Sequence, residues 1–274
     1  MRFEEDHPMI NFIYFVAAIC FASAFSHPLF VGIGFACALI CCARCRGHRG
    51  LALGLLLLPV TALWTLWYAS FHHFGVTVLG TNSIGNRITL ESIVSGLIIG
   101  VRAATVILLA SAFIAVFTTD KVTYLTGRIS PRLSLYLAIL FRWLPETRRS
   151  GRRIREARKG IGLAHHPLQI ISATMTQMME RFGTLSESMR ARGYGLKGRT
   201  AYALYRFGGR ERIIVLILCA AVIATASGAA LGHMSALYNP QIMIGPVSPL
   251  TLIFAVIYAA FLLFPVIPEL FRRR

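Results

Sequence analysis

Apolar residues in this chain come in long unbroken blocks, separated by short polar or basic stretches. Blocks at about residues 9–26, 28–43, 51–71, 93–117, 213–231 and 250–268 approach the length of a bilayer-crossing helix and lack the alternation of strands. A helix needs about 20 apolar residues to cross a bilayer, because the backbone finds no water there and must satisfy its own hydrogen bonds. The pattern predicts an all-α polytopic membrane protein with about six transmembrane helices. Residues 72–92 read as a mostly polar outer loop rich in Gly and Asn. A further apolar stretch, Leu133–Leu144, is too short to cross as a helix. It either dips into the membrane or forms the membrane end of a longer helix.

The segment from Arg142 to Arg212 breaks this pattern. It holds 16 of the chain's 28 Lys+Arg and reads as two helices in water. Pro145 suits the first turn of a helix, and Glu146 to Lys159 is a run of strong helix formers, closed by Gly160-Ile161-Gly162. Pro167 opens the second helix. Its apolar positions are Leu168, Ile171, Met175, Met178, Phe182, Leu185 and Met189, at alternating steps of three and four that keep one helical face. Gly193 falls just past the helix end, where a positive φ is needed. The last turn carries Arg190 and Arg192 beside Ala191, and cations there are favoured by the helix dipole. Such a tip is either a solvated helix end or a plug that makes charge-assisted hydrogen bonds to acidic groups of a docked partner.

The chain divides on this reading into N-terminal transmembrane helices (1–132), a basic helical segment (133–212) and C-terminal transmembrane helices (213–274). Charge sets the orientation. Only 14% of residues are charged against 56% hydrophobic, where a soluble domain carries about 25% charged residues. With the N-terminus inside, loops at 44–49, 118–212 and 272–274 fall on the cytoplasmic side, with 26 of the 28 Lys+Arg inside. Arg87 is outside, and Arg102 lies within the fourth span, facing the protein interior or snorkelling. This asymmetry is the positive-inside signature of a multi-pass cell-membrane protein, so the net charge of +17 is read as topology rather than as a nucleic-acid footprint. The first apolar block reads as a permanent span, since no small-residue cleavage site follows it cleanly. The basic residues are almost all Arg, which favours bidentate pairing with carboxylates at interfaces.

Candidate chemistry is sparse. Cys42-Ala43-Arg44-Cys45 with His48 approaches metal-ligand spacing but has no second pair, so the thiols read as reduced residues at a membrane boundary and no metal or cofactor is expected. His72-His73 lie on the outer loop. None of the three lysines sits in a phosphate-binding Gly-x4-Gly-Lys-Ser/Thr loop, and no paired carboxylates, nucleophile elbow or zinc signature appears. The chain is expected to be non-catalytic, drawing any energy from a partner.

Arg181-Phe182-Gly183-Thr184-Leu185-Ser186-Glu187-Ser188-Met189-Arg190-Ala191-Arg192-Gly193-Tyr194 resembles the second coupling motif of energy-coupling factor (ECF) transporter T components, the EcfT/CbiQ family. Arg142-Trp143-Leu144-Pro145-Glu146 resembles the segment leading into that family's first coupling helix, and Ile154 to Gly162 resembles the helix end. Phe74-Gly75-Val76-Thr77-Val78-Leu79, Ile88-Thr89-Leu90-Glu91-Ser92 and Ser130-Pro131-Arg132-Leu133-Ser134 resemble one branch of the family. The likeness covers most of residues 70–195. Many members end the first coupling helix with Ala-Arg-Gly. Here Gly160-Ile161-Gly162 stands in its place, and Arg158 or Lys159, one turn earlier, substitutes.

The resemblance implies a transmembrane scaffold with two long cytoplasmic coupling helices. It implies docking on two ABC-type ATPase subunits through Arg190, Ala191, Arg192 and Gly193 and through Arg158, Lys159, Gly160 and Gly162. It further implies that the apolar stripe of the second helix faces the membrane and a substrate-binding S component, for vitamin or metal-ion uptake. The alternative is the permease of a conventional ABC importer. Its coupling loop matches at Glu156, Ala157 and Gly162, but Ser172, Thr174 and Met175 stand where Ile, Leu and Pro are required.

Overall fold

A computed structural model describes residues 6–81, 87–162, 166–194, 196, 205, 207–239, 241–245 and 248–266. Among these residues the chain forms nine α-helices and two short antiparallel hairpins, in two compact units, Met1–Thr118 with Arg206–Arg274 and Thr119–Tyr205.

The first unit contains α1 (Pro8–Ala24), α2 (Pro28–Arg46), α3 (His48–Phe71), α4 (Leu90–Val116), α8 (Gly209–Ala230) and α9 (Pro249–Leu262). Two helices start by the same local device. Pro8 and Pro28 occupy the first turn, where a missing N–H costs nothing. The preceding His7 and His27 accept through Nδ1 from the Met9 and Leu29 amides at 3.2 and 3.3 Å. α4 packs against α1, α2 and α3. Its buried Ser92, Ser95, Gly96, Gly100 and Ala104 include the small residues that let helix backbones approach closely in lipid. The core joins Tyr14, Phe15, Phe30, Leu108, Tyr258 and Phe261, and the Tyr14 hydroxyl donates to the Leu262 carbonyl at 2.7 Å.

Four helices, α2, α3, α4 and α8, are long and apolar enough to cross a membrane, while α1 and α9 are shorter apolar helices. Large apolar side chains on α3 face outward, with Leu55, Leu63 and Leu66 each about two-thirds exposed (66%, 69% and 67%). In water such a surface would be a liability; in a bilayer it is the solvated face. The chain is an α-helical membrane protein in this sense. The expected end of the sixth apolar block, beyond residue 266, and the Arg272–Arg274 cluster lie outside the described residues.

The loop after α3 is more ordered than its Gly and Asn content suggests. β1 (Val78–Thr81) pairs with β2 (Arg87–Thr89). Glu91, at the start of α4, accepts from the Thr77 amide at 3.2 Å and from its hydroxyl, and the Leu90 amide donates to the Thr77 carbonyl at 3.0 Å. Two sequence segments singled out separately thus close on one another. A second hairpin joins β3 (Ala236–Leu237) to β4 (Met243–Ile244). Arg102 is satisfied within this unit: it donates to Ser26 Oγ at 3.2 Å, and Tyr238 donates to the Ser26 carbonyl at 2.7 Å. The Tyr238 hydroxyl is pushed up to about 12 by burial, with Arg102 opposing.

The second unit holds α5 (Thr119–Ile129), α6 (Pro131–Gly160) and α7 (Pro167–Ala191). α5 was not anticipated as a helix. It packs on α6, where Ser134 Oγ donates to the Thr123 carbonyl at 2.6 Å. Pro145 does not open a helix, contrary to the sequence reading. It sits inside α6, a single helix of 30 residues that fuses Leu133–Leu144 with the basic run. The proline removes one backbone donor, and the helix carries on through it.

Candidate docking site

α6 and α7 run as an antiparallel pair. Trp143 packs on Phe182 with ring centroids 3.7 Å apart, the Thr147 hydroxyl lies 3.6 Å from Met178 Sδ, and Arg181 Nη1 donates to Glu146 Oε1 at 2.8 Å. Ser150, Ile170 and Thr174 are buried nearer the turn. Hydrogen bonding from Arg181 holds the Glu146 carboxyl below its ordinary range, and the positive charges of Arg181, Arg153 and Arg149 act in the same direction. Motif resemblance had drawn attention to Arg142–Glu146 and Arg181–Phe182 separately. Their pairing was missed, because nothing in one strand of sequence says which side chain meets which across a hairpin.

Beside these contacts, and lined in part by the same residues, the pair forms an open groove with a cavity volume of about 760 Å³. Leu135, Ile139 and Arg142 of α6 and Leu185, Met189 and Arg192 of α7 are among its lining residues. The apolar stripe anticipated on α7 therefore divides. Met178, Leu185 and Met189 line the cavity and Phe182 meets Trp143, whereas Leu168, Ile171 and Met175 are exposed at 79%, 55% and 53%.

The end of α7 follows from its sequence. Ala191 is the last helical residue, Arg192 the C-cap, and Gly193 has φ +73°. The Tyr194 amide donates to the Met189 carbonyl at 3.0 Å and the Gly193 amide to the Arg190 carbonyl at 2.9 Å. These are the paired bonds of a Schellman cap, which needs a left-handed residue where glycine stands. Met189-Arg190-Ala191-Arg192-Gly193-Tyr194 is thus a folding instruction as well as a charge pattern: it stops the helix and leaves Arg190 and Arg192 on its last turn.

The end of α6 has the same frame. Ile161 is the C-cap, Gly162 has φ +77°, and its amide donates to the Lys159 carbonyl at 3.1 Å. Matching the two caps residue by residue puts Gly162 with Gly193, Ile161 with Arg192, Gly160 with Ala191 and Lys159 with Arg190. Arg158 falls outside this match and is engaged internally, donating through Nη2 to Gln169 Oε1 of α7. Of the two residues considered as substitutes, Lys159 holds the cap position equivalent to Arg190, and the position equivalent to Arg192 is apolar.

Among the described residues the cysteines of α2 form no disulfide, and Cys42 Sγ lies 3.8 Å from the Ser111 hydroxyl. Among the described residues no three His, Cys, Asp or Glu side chains are grouped to hold a metal ion. No protein-family model matches the chain, and no curated protein gives a significant match.

Proposed function

We propose that this chain is the transmembrane coupling subunit of an ECF-type importer, transmitting movements of cytoplasmic ATPases to a membrane-embedded substrate-binding subunit. The observation that carries the reading is the capped tip of α7, with Arg190 and Arg192 presented beside Gly193. Arg192 is exposed and ready to pair with carboxylates of a docked partner. The α6 and α7 tips lie at opposite ends of the hairpin, separated by a helix of 25 residues, or about 37 Å. Such spacing suits contacts with two partner subunits rather than one.

In this reading α1 and α9 complete six spans with the four long apolar helices. The N- and C-termini and the Thr119–Tyr205 unit lie in the cytoplasm of a prokaryotic cell, and ATP is hydrolysed by the partners. The stiff α6–α7 pair transmits force as a rigid lever, in the manner of hinge and shear transitions. Affinity purification of the full chain from its native membrane tests the proposal. Two nucleotide-binding chains and a small, very hydrophobic protein should copurify, and an Arg192→Glu variant should insert normally but lose the nucleotide-binding chains. A soluble substrate-binding protein in their place would indicate a conventional importer permease and overturn the reading.

A further inference from the structure

We infer that the cavity between α6 and α7 is a docking groove for an acidic amphipathic helix from another polypeptide. The inference does not depend on what the chain transports. Its cavity-lining segment of α6, from Leu135 to Ser150, is about 22 Å long, so a helix of about four turns lies along it. Two packed helices leave a seam along which a third can lie, and the cavity runs along that seam. Its walls carry apolar side chains at helical spacing, Leu135 and Ile139 on α6 and Leu185 and Met189 on α7. A helix suits apolar walls because its backbone hydrogen bonds are already made; an extended peptide would strand its own.

Charge identifies the occupant. Three arginines, Arg142, Arg181 and Arg192, line the groove against one carboxylate, Glu146, which Arg181 already engages. The cations are spread along it. The contacts Thr147–Met178 and Trp143–Phe182 set an antiparallel register that carries Arg192 toward the Leu135 end, two helical turns from Arg142. The complementary helix presents carboxylates about seven residues apart with apolar residues between them.

The same distribution argues against other occupants. A phospholipid has one charged end and needs a long uncharged channel, whereas here cations recur along the apolar walls. A second copy of this chain brings a net charge of +17. Its α7 does carry Glu180 and Glu187 seven residues apart, but the positions between them on the same helix face, three and four residues on from Glu180, are Gly183 and Thr184 rather than large apolar residues.

The test uses the full chain in detergent and a fluorescent synthetic helix of about sixteen residues, with glutamates seven positions apart flanking two leucines. Anisotropy should show saturable binding, at least tenfold weaker for the same peptide with lysines in place of the glutamates. Arg142→Glu and Ile139→Asp, with thermal unfolding unchanged, should each weaken binding about tenfold. Equal binding of the acidic and basic peptides overturns the inference without reference to any variant. So does unchanged affinity in both variants. Displacement of the peptide by stoichiometric phosphatidylglycerol would reassign the groove to lipid. Self-association of the chain that excludes the peptide would reassign it to a second copy.

Discussion

The two helix ends of the basic unit share a backbone and differ in chemistry. Gly162 and Gly193 have nearly the same φ, +77° and +73°, and each amide donates to the carbonyl three residues back, at 3.1 and 2.9 Å. Yet the C-cap side chain is Ile161 at one end, 75% exposed, and Arg192 at the other. An exposed isoleucine at a helix tip offers dispersion and area; an exposed arginine offers a planar, always-charged fork. The comparison separates two jobs that the motif runs together. Glycine stops the helix, and the residue before it decides what the stop presents. On the coupling reading, the α7 tip supplies an electrostatic anchor, and the α6 tip supplies an apolar contact flanked by Lys159.

The largest expected effect is therefore asymmetric. Arg192→Glu should weaken capture of the nucleotide-binding partners by at least about tenfold, the loss of a charged hydrogen bond worth roughly 1.5–3 kcal/mol. Lys159→Glu should cost appreciably less. Quantitative pull-down from membranes checks both, and equal losses would erase the distinction. Gly193→Ala and Gly162→Ala come next. Each forces a left-handed alanine at roughly 1–2 kcal/mol, so both helix ends should fray to a similar extent in hydrogen exchange, while only Gly193→Ala also weakens partner capture severalfold. The reciprocal substitution, Ile161→Arg, sharpens the comparison further. It places an arginine on the α6 cap in the frame Arg192 occupies, and should recover part of the capture lost in Arg192→Glu, about threefold to tenfold. No recovery would mean that the socket facing α6 is shaped for an apolar residue.

Much of this architecture was legible in the chain, for identifiable reasons. The apolar blocks announced the long helices because a bilayer leaves few alternatives to a self-satisfied backbone. The three-and-four spacing from Leu168 to Met189 located α7 within a residue or two, and Gly193 marked its end because a positive φ has few takers. What failed to show was anything decided by a partner across space. Pro145 looked like a helix start because proline favours first turns, yet the flanking Leu133–Leu144 and Glu146–Lys159 segments both favour helix and run through it. The α7 stripe looked uniform, but only its C-terminal half lines the cavity, since nearer the turn α6 comes close to Thr174 at Gly151. Ile161 was visible as a departure from the motif. That it matches Arg192 position for position emerges only when the two caps are superposed by their hydrogen bonds.

The smallest effect concerns the joint that holds the two ends apart, the Glu146–Arg181 pair. Both side chains are about two-fifths exposed (41% and 42%), so water and salt screen their attraction. The sign of its pH dependence is nonetheless defined. Arg181 lowers the folded-state pKa of Glu146 below its unfolded value. The stabilisation is therefore fully present above the unfolded glutamate pKa of about 4.3 and is lost as pH falls through the lower folded value. Glu146→Gln should lower Tm slightly, by at most about 2 °C, and by a constant amount from pH 7 down to about 5. The gap to the unmodified chain should then narrow below about pH 4, where the native carboxyl takes up its proton and the two side chains become alike in charge. A gap that instead widened in acid would show that Glu146 is strained rather than held by Arg181, and the joint between the helices would have to be assigned to the Trp143–Phe182, Thr147–Met178 and Arg158–Gln169 contacts.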